Sequence, residues 1–304
     1  MIYLKIRKNC RACPYASSIF MFSEGYAMKK TALIFTTVTT GLSILGAVLH
    51  SSEIDMILDP ASGLADRFAP ISICMTAIAI LTLILFSILA LLVKGRDVQP
   101  VYHIAFASRT PIPLALSCLI GLAMIYGAYL CFRFGVGIRS STRLVTILSV
   151  FSALSGVSCI VMSLMAYLKK SGIETMLCSF IMVLFYCLWL IVYYLEKSAD
   201  PAMMSYVYDY LAICAAAVAG YYSAGYAYGR SRPRATLIAS MAAAFFCITA
   251  APKALTVSFT IFFAAIGILN LVNVFVLTNN LQYKTDNTEE ISAEMPETIP
   301  EEQE

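Results

Sequence analysis

The sequence predicts an all-α, polytopic transmembrane helix bundle of about eight spans, with both termini in the cytoplasm. Three observations predict it. Of 304 residues, 60% are hydrophobic and 13% are charged, whereas a soluble domain has about half its residues apolar and a quarter charged. A soluble protein must still cover its surface with polar groups, so this excess calls for lipid as the solvent. The apolar residues form continuous runs of the length a helix needs to cross hydrocarbon. They lack the short alternating pattern of a membrane barrel strand.

The expected spans are Thr31–His50, Pro70–Val93, Pro113–Phe134, Leu144–Leu168, Ile173–Leu195, Met203–Tyr228, Ala235–Ala251 and Leu255–Thr278. The last two come from one apolar stretch too long for a single crossing. Ala-Pro-Lys-Ala at 251–254 divides it, and Pro252 disfavours helix at the residue before it.

Orientation follows from the bases. With the N-terminus inside, eleven Lys and Arg between residues 29 and 284 fall on the cytoplasmic side and six fall outside. Positive loops stay in the cytoplasm. One loop opposes the trend, because Arg133, Arg139 and Arg143 fall outside. Asp209 should lie near the same interface, so an Arg133–Asp209 charge pair is expected to hold that arginine there. If the three arginines instead converge on open water, they form an outward anion site.

The chain divides into residues 1–27, a transmembrane domain at 28–283 and a tail at 284–304. Met28-Lys29-Lys30 before an apolar run has the form of a bacterial membrane-protein start. Glu24-Gly25 can be encoded as a ribosome-binding sequence upstream of it. The expectation is translation from Met28, with a short disordered cytoplasmic extension as the alternative. No cleavage motif follows the first run, so the span is retained. The tail carries eight acids and no base after Lys284, which makes it a solvated, disordered segment. It is also where a protein partner could dock.

Matching tripeptides, Asp59-Pro60-Ala61 and Asp200-Pro201-Ala202, precede the second and sixth spans, and Gly95-Arg96 and Gly229-Arg230 follow them. The order permits a weak four-plus-four duplication, a plan common among transporters.

Chemistry is sparse. Every charged residue falls in a loop or within about a turn of a span end, which counts against a pump built on membrane carboxylates. No metalloprotease or nucleophile-elbow motif occurs, and His50 and His103 read as an interfacial residue and a loop residue. Eight of ten cysteines lie in apolar runs, where cysteine behaves as a small hydrophobe. Cys10 and Cys13 lack the second pair a zinc site needs. No catalytic residue, cofactor or metal is expected, and no nucleic-acid surface.

What remains is polar but uncharged. The sixth span carries Tyr222 and Tyr226 beside an Ala216, Gly220, Ala224 stripe that permits close helix approach. The eighth carries Asn270 and Asn273 on one face. These four residues are the expected lining of a cavity. The leading expectation is a multi-pass cell-membrane protein that passes a small solute without buried carboxylates. The alternative is a non-catalytic scaffold or sensor with a dry core. Oligomeric state is not legible.

Overall fold

The computed structural model describes residues 30–57, 70–93, 96–97, 102–108, 111–135, 142–170, 172–197 and 207–283. The expectations for the N-terminal extension, Cys10, Cys13, Arg139, the acidic tail and most of the first outer loop lie outside these residues.

The described elements run α1 (Lys30–Ile57), α2 (Pro70–Leu91), β1 (Arg96–Asp97), α3 (Tyr102–Ala105), α4 (Pro111–Phe134), α5 (Thr142–Tyr167), α6 (Ile173–Lys197), α7 (Val207–Ala227), α8 (Pro233–Ala250), a 3-10 turn (Ala251–Lys253), α9 (Val257–Asn280) and β2 (Gln282–Tyr283). Eight of these helices have 18 residues or more, and seven are apolar enough to cross a membrane. The protein is a multi-pass helical membrane protein.

α7 falls outside the seven because tyrosines and Asp209 dilute its hydropathy. It nevertheless runs antiparallel along α6. Tyr193 near the end of α6 bonds Asp209 in the first turn of α7. Tyr186 sits where a Cβ on Gly220 would lie 2.8 Å away. The Tyr228 hydroxyl, just past α7, donates to the Met176 carbonyl at 3.2 Å. α7 therefore traverses the same thickness as α6, with Val207, Leu211, Val218 and Tyr221 exposed along its outer face.

α8 is the centre of the bundle. It packs on α1, α2, α7 and α9, and 72% of its most apolar stretch is buried, against 28% in α1 and α2. Its composition explains this. Ala239, Ser240, Ala242, Ala243 and Ala244 let helix backbones approach on every side. α2 instead exposes Ile80, Leu81, Ile84 and Ile88, the lipid-facing surface of an outer helix. In a four-plus-four alignment α4 is the counterpart of α8, yet α4 packs mainly on α5 and α9. α4 and α5 meet most closely at Gly121 and Gly156, where a Cβ on either would stand 2.7 or 2.6 Å from the other's carbonyl oxygen.

The hairpin between α8 and α9 forms as expected, but the turn lies further on. Ala251 keeps helical geometry despite preceding Pro252, because the chain tightens into a 3-10 turn. The chain extends only at Ala254 and Thr256, and the Thr256 side chain caps α9 by accepting from the Phe259 amide at 3.3 Å. At the other end, α7 closes in a Schellman turn. Gly229 takes a positive φ of 71°, and the Arg230 amide donates to the Gly225 carbonyl at 2.7 Å.

α1 is longer than the expected span and carries Glu53 inside its last turns. The loop between α2 and α4 returns into the bundle as α3. Its approach is pinned by β1, which pairs antiparallel with β2 just beyond α9, Arg96 opposite Tyr283. The Asn280 side-chain amide donates to the carbonyls of Ala105 and Ala107 at 2.9 and 3.0 Å. α3 marks the plug end of the bundle and the α8–α9 turn marks the hairpin end.

Candidate functional site

A cavity of about 50 Å³ lies among α5, α6, α7 and α9, with Tyr102 and Phe106 from the α3 segment in its wall. A water molecule needs roughly 10–15 Å³ on this measure, so the space holds a few. A second space of about 30 Å³ shares Tyr102, Phe106, Ser163 and Asn273 with it. Among the described residues, no charged side chain lines either.

The lining groups are neutral and several lack protein partners. Asn270 is buried and donates to the Ile266 carbonyl at 2.9 Å, which leaves its oxygen for the cavity. Asn273, one turn on, makes no hydrogen bond to any described residue and faces both spaces. The Ser223 hydroxyl is buried without a partner, and so would bond whatever enters. Ser163 and Ser179 also line the cavity, although each donates to a carbonyl of its own helix. Burial pushes the ionisation of the Tyr102 hydroxyl well above the ordinary tyrosine range, so it stays a neutral donor.

Two of the four expected lining residues stand in the cavity, Asn270 and Asn273. Tyr222 and Tyr226 do not line it. Tyr222 packs beside Ala219, Ala239 and Ala243. Tyr226 is buried with its ring edge-on to Phe106 at 5.5 Å, behind the wall. α7 turns Gly220, Ser223 and Ala224 inward instead. Gly220 and Ala224 of the small stripe therefore face the cavity, and the tyrosines flank it.

Above the cavity, toward the hairpin end, an aromatic layer closes the bundle. Trp189 contacts Phe259, Phe262 and Phe263, with centroid distances of 5.7, 5.7 and 4.7 Å. All four are fully buried.

Beyond this layer lies a second polar region. His50 and Glu53 of α1, Lys197 of α6 and Asp209 of α7 are all buried. His50 Nδ1 lies 3.1 Å from Glu53 Oε2, and its ring meets Tyr208 edge-on at 4.8 Å. The Tyr193 hydroxyl donates to Asp209. His50 packs on Tyr208, the residue before Asp209, and Lys197 lies one turn beyond Tyr193 on α6. The expectation of a bundle without buried carboxylates is corrected here, because Glu53 and Asp209 are both buried. These residues do sit near helix ends, but neighbouring helices cover them.

Arg133 and Asp209 are not brought together. Arg133 is exposed at the end of α4, while Asp209 turns inward to Tyr193. Burial decides the difference, since a carboxylate at this depth needs a donor and α6 supplies one. Arg143 is also exposed.

The cluster was legible in part. His50 and Glu53 are three apart, and Trp189, Tyr193 and Lys197 recur every four residues along α6. Such spacings place each set on one helix face. Eight cysteines among the described residues are free thiols, and no group of metal-ligating side chains occurs among those residues.

Fold and site together define a multi-pass helical membrane protein with a neutral polar cavity on one side of an aromatic layer and a buried charge cluster on the other. No family model, curated protein or solved structure matches the chain.

Proposed function

We propose that this protein passes a small uncharged polar solute across the membrane through the space between α5, α6, α7 and α9. The observation that carries the reading is the cavity itself. Asn273 and Ser223 present polar atoms to it without partners among the described residues. In a membrane bundle such groups normally pair with a neighbouring helix, so here they are left for a ligand.

The absence of charge in the lining favours neutral solutes, because an ion would have to shed its water against hydroxyl and amide dipoles alone. α3 stands at one end of this space and the aromatic layer at the other. Passage requires each to part in turn. The distribution of lysine and arginine puts the plug end in the cytoplasm.

Cysteine labelling tests this reading. Asn273→Cys is placed in a chain whose native cysteines are replaced by alanine or serine, and a membrane-impermeant thiol reagent is added. Labelling that small neutral solutes slow supports the cavity as a path. A position that never reacts from either side indicates a dry core, and with it a scaffold.

A further inference from the structure

The second polar region has no part in lining the cavity, and its composition is unusual for a membrane bundle. Glu53 and Asp209 each carry a negative charge when ionised, Lys197 carries a positive one, and His50 is neutral or positive. With neutral His50 the buried set holds one negative charge in excess. One added proton brings it to zero. Uncompensated charge inside a bundle is costly, so the set is arranged to take up a single proton.

We propose that the buried His50, Glu53, Lys197 and Asp209 cluster is a proton-binding site whose occupancy is transmitted to the aromatic layer through Tyr193. The proton belongs to the cluster as a whole, since groups this close titrate together.

Among the described residues, the surroundings leave this count intact. From α1 come His50 and Glu53, and from α6 come Tyr193 and Lys197. α7 itself adds Tyr208 and Tyr210, and α8 adds Cys247, whose thiol donates to the Ala212 carbonyl at 3.6 Å. α9 contributes no titratable side chain, and α2 contributes only the exposed Cys74. Glu196 and Lys253, of opposite sign, are half-buried at the same end.

A physical link joins the cluster to the layer. Tyr193 donates to Asp209, and its ring packs on Phe259 with centroids 5.6 Å apart. Phe259 in turn packs on Trp189. A neutral Asp209 is a weaker acceptor than a carboxylate. Proton uptake therefore loosens Tyr193 and, through it, Phe259 and Trp189. The site lies toward the hairpin end, opposite the plug. Coupling of this proton to solute movement rests on the reading of the cavity above, whereas the binding of the proton does not.

Trp189 is the chain's single tryptophan, so its fluorescence reports on the layer alone. The experiment titrates the emission of the full chain in detergent or nanodiscs between about pH 5 and 8, the range in which histidine-containing clusters act. No solute is added. The wild type should show one transition with the steepness of a single proton. Asp209→Asn and His50→Gln should each abolish it or move its midpoint by about one pH unit or more, a tenfold change in proton affinity. Asp209→Glu, which keeps the carboxylate, should retain a transition. A flat wild-type emission overturns the proposal, as do variants that titrate like the wild type. Because no solute is present, either result is independent of whether the cavity passes one.

Discussion

The Tyr193 hydroxyl donates to the Asp209 carboxylate across the interface of α6 and α7. It fixes a buried acid of α7 to a neighbouring helix. Removing the donor takes a hydrogen bond from that acid in a buried site. Tyr193→Phe should therefore lower stability by about 1.5–3 kcal/mol, the range for bonds to charged groups. Thermal unfolding in detergent measures this. The Tyr193→Phe and Asp209→Asn changes combined should cost less than the sum of the two, because both remove the same contact.

The backbones of α4 and α5 touch at Gly121 and Gly156. A Cβ at Gly156 would stand 2.6 Å from the Gly121 carbonyl oxygen, and backbone cannot move aside as a flexible side chain does. Gly156→Val should destabilise by about 1–3 kcal/mol or more, as overpacking of a close contact does. Gly41→Ala, where nothing lies within 4 Å of the added carbon, is the control and should change little.

Asn280 holds the carbonyls of Ala105 and Ala107 at the end of α3. Asn280→Leu keeps the volume and removes both donors. Amide hydrogen exchange over residues 102–108 should rise, while exchange in α8 stays as slow as in the wild type. Unchanged protection of α3 would show that the plug is held without Asn280.

Lys169 follows α5 with a φ of 54°, the left-handed geometry that glycine adopts without strain. The turn is otherwise the same kind that closes α7, with the Lys170 amide donating to the Met165 carbonyl at 3.0 Å. Lys169→Gly should raise stability by about 0.5–1 kcal/mol, read as a higher unfolding midpoint.

The helices were legible because lipid demands long apolar runs, and the runs at 70–93, 173–195 and 255–278 mark their elements nearly to the residue. Two things were hidden. Hydropathy marks Glu53 as the start of a loop, but α1 continues to Ile57 and buries it against neighbouring helices. Rotation was hidden as well. The tyrosines of α7 are its most conspicuous residues, yet Gly220 and Ser223 face the cavity, because the Tyr186 ring fills the notch that Gly220 leaves. Which face turns inward depends on partners far along the chain. The Asn270 and Asn273 pair was found because a strong hydrogen-bonding amide in a span stands out from an apolar background wherever the helix points.

The central claim is passage of a small neutral solute past Asn273, and flux into proteoliposomes tests it most directly. Light scattering follows the entry of water, urea and glycerol into vesicles that contain the wild type, Asn273→Leu or no protein. The account predicts that at least one solute enters faster with the wild type than without protein, and that Asn273→Leu removes the difference. Entry no faster than in empty vesicles for all three, or equal entry with Asn273→Leu, would contradict it.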